Sequence, residues 1–280
     1  MSKVRIRTRR PELDLRQVLG TGIAAGLLVA CSAATSSPLV TEPPTSLPTS
    51  TTTFPETPAT TAPRTATSGS VTTIPQAETG QHLVARSRDE VASYLYPRSS
   101  DVVKLLPATT ILGTPQVYLV ERATSDGWVE LALPGRPHGS TAWAEAAALD
   151  FEIVHQLIEV DLDSRTLRYL REGEEVFTTT ATVGSPANPT PTGFFYVTDI
   201  VQLADANSPW GPYALGLSAR SETITEFNGG DGIIGIHGTN RPSTIGEAVS
   251  LGCIRIDNDL ITQLAAAVKL GTPVTIIGER

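Results

Sequence analysis

From His82 to its end the chain is a succession of short apolar–polar alternations divided by turn residues. HLVAR, VASYLY, TTILGTPQVYLVERA, GWVELAL and STAWAEA are β-rich pieces. Ser125-Asp126-Gly127 and Pro134-Gly135-Arg136-Pro137-His138-Gly139 separate them as turns. Residues 81–149 therefore read as a small SH3-like or sandwich β domain. Trp128 and Trp143 read as its core, with a binding surface as the alternative, and His138 reads as a solvated turn residue. Residues 150–280 read as a second, mainly β domain. It opens with a meander around Arg171-Glu172-Gly173, followed by strands in GFFYVTDIV, YALGLSAR, DGIIGIH and TPVTIIG. A single helix is predicted in DNDLITQLAAAVKLG. Asp257 or Asn258 caps it, Leu260, Leu264 and Val268 share a face, and Gly271 stops it.

The first 80 residues lack this texture. MSKVRIRTRRPELDLRQ is basic, VLGTGIAAGLLVA is mostly apolar, and Cys31 follows. A basic segment before a short apolar run is the export pattern, and the run is shorter than the roughly 20 residues that span a bilayer. Residues 1–30 read as a signal peptide. Residues 31–80 read as a tether: positions 35–80 hold 15 Thr, 6 Ser and 8 Pro, too little apolar surface to offset the entropy of ordering. Such a segment reaches about 140 Å if extended and roughly 40 Å as a coil.

Charge sharpens this reading. The chain carries −8 overall, yet residues 1–30 hold six basic groups against two acidic ones. The remainder holds 15 basic and 27 acidic groups, a net of −12, which argues against a nucleic-acid partner.

The two cysteines and one of the four histidines raise the chemical question. GIHGTNRPSTIGEAVSLGCIRIDN, residues 235–258, holds His237 and Cys253. An imidazole can take the proton of a thiol and make it a nucleophile. The turn formers between them can fold the span back, and the amides of Gly252 and Cys253 can face an oxyanion. Two readings stay open on residue chemistry: a catalytic pair, or a buried inert cysteine near an ordinary histidine. Zinc is disfavoured, because one His and one Cys fall short of four ligands and no CxxC or HxxxH completes the set. Gly230, Gly232 and Gly235 fit G-x-G-x-x-G but lead into Ile236-His237 rather than a helix, so no dinucleotide site is expected.

Two resemblances go further. Leu28-Val29-Ala30-Cys31 resembles the bacterial lipobox, which implies cleavage before Cys31 and lipidation of its thiol, with ordinary secretion as the alternative. H-G-T-N-x-P-S-x-I-G followed by S-x-G-C-I-R-x-x-N resembles the signature of the L,D-transpeptidases, over about residues 153–277. Pro191-Thr192-Gly193-Phe194-Phe195 and Tyr213-Ala214-Leu215 also resemble that family. The resemblance implies a β sandwich, Cys253 as nucleophile, His237 as base and the Gly238 carbonyl as the group orienting the imidazole. It implies that Ser250, Gly252, Arg255 and Tyr213 line the substrate site, and it implies no cofactor and no metal. Many members carry His where this chain has Leu251, which implies a changed pocket polarity or acceptor. The implied reaction is 3→3 cross-linking of peptidoglycan stem peptides outside the membrane, through a thioester and open to carbapenem-type inhibitors. Hydrolysis by the same residues, attachment of a wall protein, and noncatalytic wall binding are the rivals.

The anchor is testable directly. Cells expressing the full chain are expected to incorporate labelled fatty acid into it, and Cys31→Ala is expected to lose the label. Equal labelling of both would count against lipidation at Cys31.

Overall fold

The computed structural model describes residues 73–227 and 230–278. The signal peptide, Cys31 and the tether up to residue 72 lie outside the described residues. What is described is mainly β, with one short α-helix.

The first sheet has seven strands: β1 His82–Ser87, β2 Val91–Tyr94, β3 Val102–Leu106, β4 Val117–Ala123, β5 Trp128–Ala132, β6 Thr141–Glu145 and β7 Leu149–Val154. Their order is β3-β2-β6-β5-β4-β1-β7, antiparallel throughout. Leu106 and Leu149, from the two edge strands, share one apolar cluster with Val129, Leu131 and Ala144, so the sheet curls around it. Ile74 also packs there, so the last residues of the expected tether lie against this domain. Strand β7 pairs with β1 along its whole length, which puts the division between the sheets at His155 rather than between 149 and 150.

The tryptophans differ from expectation. Side chains alternate across a strand, and Val129 and Leu131 claim the inner face. Trp128 and Trp143 therefore occupy the opposite face, where Glu130 pairs with Trp143. They are nonetheless buried, Trp128 edge-on to Tyr94 and Trp143 beneath the Arg122 guanidinium.

The second domain contains β8 Gln156–Asp161, β9 Thr166–Arg171, β10 Glu174–Thr180, β11 Val183–Gly184, β12 Gly193–Gln202, β13 Tyr213–Arg220, β14 Ile233–His237, β15 Ala248–Ser250, β16 Ile254–Arg255, α1 Asn258–Ala267 and β17 Pro273–Ile277. The long β12 serves two sheets. Gly193–Tyr196 pairs with β17, and Val197–Gln202 pairs with β13, with a register shift between Val197 and Asp199. Strands β10-β9-β8-β17 extend from one half and β13-β14-β16 from the other. Ile158, Tyr169, Val197, Leu217, Ile236, Ile254 and Ile276 meet in one core.

Helix α1 closes that core. The Asp257 carboxylate caps it by accepting from the Asp259 N–H at 2.8 Å. Of the predicted face Leu264 and Val268 lie in the core and Leu260 packs partly buried against it, while Ile261 and Ala265 are buried beside them. The helix ends at Ala267, four residues before Gly271.

Gly271 has a different task, at the seam between the domains. Its φ is +82°, and a Cβ there would lie 2.6 Å from both Val84 methyls. Val84, Val117 and Leu119 of the first sheet share a cluster with Val154 and Tyr196, and Tyr196 donates its hydroxyl to the Ala132 carbonyl at 2.9 Å. Burial of such side chains contributes about 1.5–3 kcal/mol each. The exposed Lys269–Glu152 pair across the same seam contributes roughly 0–1 kcal/mol. Apolar packing therefore dominates the joint. Gly271→Ala is expected to lower unfolding stability by about 2–4 kcal/mol in urea titration, from left-handed backbone strain plus overpacking. Gly80→Ala, at the same φ of +82° with open space around it, is the control and is expected to cost clearly less. Equal losses would mean that contact with Val84 is unimportant.

Candidate active site

The parallel pairing of β14 with β16 sets Ile236 beside Ile254 and His237 beside Arg255. Cys253 immediately precedes β16, so in this register it falls opposite Gly235, two positions from His237 and on the same face of the ladder. Both side chains line one cavity of about 260 Å³. Trp210, Ile224, Phe227, Ile234 and Leu251 make its walls largely apolar, and Arg255 is its cationic member.

His237 is 4 % exposed. Its Nδ1 lies 2.6 Å from the Gly238 carbonyl oxygen. That oxygen can only accept, so Nδ1 holds the proton and Nε2 of the neutral ring is left as the base. The Trp210 ring, centred 4.6 Å away, covers the imidazole. Burial lowers the His237 pKa from 6.5 to about 4; the Gly238 bond opposes the shift and the Arg255 charge adds to it. At neutral pH the ring is an uncharged base.

Gly238 has no room for a side chain: a Cβ would lie 2.3 Å from Asn258 Oδ1 and 3.0 Å from Pro212 Cδ. Asn258, expected as an alternative helix cap, instead accepts the Thr239 N–H at 2.8 Å. The turn after the imidazole is thereby fixed to the start of α1.

Cys253 is partly exposed toward the cavity. Burial pushes its pKa up, while a backbone hydrogen bond from Gly235 and the Arg255 charge pull it down. The resting pair is thus a neutral thiol and a neutral imidazole, so attack requires proton transfer.

The turn before the thiol departs from the expected roles. Ser250 is completely buried and donates to the Cys253 carbonyl at 2.5 Å. It also accepts the Gly252 N–H at 3.1 Å. Ser250 shapes the turn rather than lining the cavity, and the Gly252 amide is already engaged. Among the described residues no acceptor takes the Cys253 N–H, which leaves that amide for an oxyanion. Gly252, at φ +112°, is needed for the turn, and Thr190 donates to its carbonyl at 2.9 Å. Tyr213 is also displaced from its expected place. Its ring packs on the core and its carbonyl accepts the Gly238 N–H at 3.3 Å, while the cavity is lined by others. Arg255 does face the cavity, with its Nε buried and without a partner. Leu251 stands at the rim, half exposed.

Sequence reasoning missed Trp210, Thr190 and the positioning role of Asn258. Thr190 lay beside the Pro191 segment and Asn258 closed the S-x-G-C-I-R-x-x-N motif, whereas Trp210 had no such marker.

Residues 155–276 match the family model of the YkuD domain, described as the L,D-transpeptidase catalytic domain. YkuD of Bacillus subtilis strain 168 is 38% identical over 119 residues, which are 42% of this chain and 64% of that protein. YqjB of the same strain is 36% identical over 83 residues, 29% of this chain and 43% of that protein. The chain thus spans less than two thirds of the length of these relatives. An L,D-transpeptidase structure from Mycobacterium tuberculosis H37Rv shows a TM-score of 0.39 at 18% identity, covering 69% of this chain and 80% of that one.

The lowered His237 pKa has a measurable sign. Between pH 6.5 and about 4 the unfolded histidine binds a proton that the folded one refuses, so unfolding free energy falls as pH drops through that window. His237→Gln is expected to show a shallower fall than wild type in urea titrations at pH 4.5 and 7. Parallel curves would mean that the ring titrates normally.

Proposed function

We propose that the protein is a peptidoglycan L,D-transpeptidase acting through a Cys253 thioester, a reading supported by the match of residues 155–276 to the L,D-transpeptidase catalytic-domain model. The observation that supports this most is the shared cavity in which the His237 Nδ1–Gly238 bond leaves Nε2 as a base beside a half-buried thiol.

The donor is a stem tetrapeptide. His237 Nε2 takes the thiol proton as Cys253 Sγ attacks the carbonyl of the third residue, at its L-centre. Negative charge develops on the carbonyl oxygen, facing the Cys253 N–H. The imidazolium then gives its proton to the departing terminal D-alanine, and the C–N bond breaks. The side-chain amine of a neighbouring stem attacks the thioester, His237 Nε2 takes its proton and returns it to the departing Cys253 sulfur, giving the 3→3 link and the free enzyme. Arg255 lowers the electrostatic cost of the thiolate and offers an unpaired cation to a substrate carboxylate. The same site without an amine acceptor performs L,D-carboxypeptidation. With Cys31 lipidated, the tether would hold this reaction on the outer side of the cell membrane, facing the wall.

Intact-mass analysis with a carbapenem and with disaccharide tetrapeptide is the test. Wild type is expected to take one drug adduct and to form a cross-linked dimer, and Cys253→Ala is expected to do neither. Tripeptide alone would reassign the protein as a carboxypeptidase. Folded wild type with neither adduct nor product would leave a noncatalytic wall-binding protein.

A further inference from the structure

The wall of the cavity that carries Ile224, Phe227 and Gly232 belongs to the connection between β13 and β14. Its described parts are residues 221–227 and 230–232. The two ends meet through the Ser221 N–H, which donates to the Gly232 carbonyl at 2.8 Å. Gly232, at φ +73°, lies so close to Ile224 that a Cβ would overlap the Ile224 carbonyl oxygen.

Thr223 donates to Asn188 of the proline loop at 3.1 Å, and the first domain holds the wall from the other side. In the turn between β5 and β6, Arg136 Nη1 donates one hydrogen to the Ser221 carbonyl at 2.7 Å and another to the Asp231 carbonyl at 3.0 Å. One guanidinium nitrogen thus grips both ends of the wall. Beside it, the Gly135 N–H donates to the Ser218 carbonyl at 3.0 Å. His138, expected in solvent, has a side chain only 15% exposed. Its Nε2 accepts the Arg220 N–H at 3.0 Å, and its ring stands edge-on to Phe195. A second loop arrives independently. Thr110 donates to the buried Asp199 carboxylate at 2.6 Å, and Ile111 Cδ1 lies 3.6 Å from where a Gly230 Cβ would stand. Gly230 is bonded in both directions to Phe227.

We propose that Arg136 is a positioning residue for the active site: the first β domain sets the cavity wall through it, and so sets how substrate lies against Cys253. The wall's internal ties, Ser221 to Gly232 and Arg220 to Asp231, join its two ends to each other. Among the described residues the Arg136 and Ile111 contacts and the His138–Glu222 pair connect it to the neighbouring domain. Ile224 and Phe227 are large cavity-facing groups, so small shifts of their backbone change the shape of the site far more than the chemistry of the thiol. The effect on turnover rests on the acyl-transfer reading; the clamp itself does not.

The experiment compares the full chain with its Arg136→Ala and Arg136→Lys variants at a temperature where urea titration shows all three folded. Three quantities are read. Amide exchange in 219–234 is expected to rise at least tenfold in Arg136→Ala, without a rise across β8–β10. Tetrapeptide kcat/KM is expected to fall about tenfold, with partial rescue by Lys, which keeps charged donors. Iodoacetamide alkylation of Cys253 is expected to keep its rate and pH profile within about twofold, since thiol and imidazole are untouched. Unchanged exchange, or raised exchange with unchanged kcat/KM, would overturn the proposal. So would alkylation falling in step with kcat/KM, which would mean general damage to the site. If wild type turns over no tetrapeptide, the function reading fails, and the exchange comparison alone decides whether Arg136 clamps the wall.

Discussion

Two residues of parallel pairing, Ile236 with Ile254 and His237 with Arg255, hold the reactive pair together. So short a ladder contributes little by itself, since each backbone hydrogen bond nets about 1 kcal/mol. Its surroundings therefore have to fix it. Asn258 ties the turn after the imidazole to the capped start of α1, and Thr190 ties the turn before the thiol to the proline loop. The Ile254 and Ile256 side chains sink into the core on either side of Arg255. The site is rigid because its flanks are anchored, not because its own strands are long.

Electrostatics follow from that placement. The imidazole is buried and answered by a neutral carbonyl rather than a carboxylate, so nothing favours the imidazolium strongly enough to offset desolvation. The same burial keeps the thiol protonated, with Arg255 partly opposing it. With the pair neutral at rest, the thiol reacts only once its proton has moved to the imidazole.

Much of this was legible in the sequence. Strands β12, β13 and β14, the helix with its Asp257 cap, and the His-Gly and Gly-Cys turns were all marked by alternation, capping and turn residues. Other features were hidden because they depend on contacts distant in the chain. The inward face of α1 is decided by what packs on it, so Ile261 and Ala265 are buried there beside Leu264 and Val268. Ser250 and Tyr213 looked like lining residues, yet one closes a turn and the other supports the core. Trp210 carries no local signal, since its place over His237 comes from a loop 27 positions earlier in sequence. The tryptophans of the first sheet were assigned inward because large rings usually are; the register gives that face to Val129 and Leu131.

The close approach of Gly271 to Val84 bears on how such a chain can be rearranged. Two sheets that share Val84, Leu119, Val154 and Tyr196 are not interchangeable modules, whatever their separate topologies suggest. Excising the first would expose Tyr196 and the apolar surface around it to water, and grafting another in its place would need a partner shaped to a glycine with no side chain. Recombination at His155 would therefore yield two damaged halves, and the pair is best treated as one heritable piece.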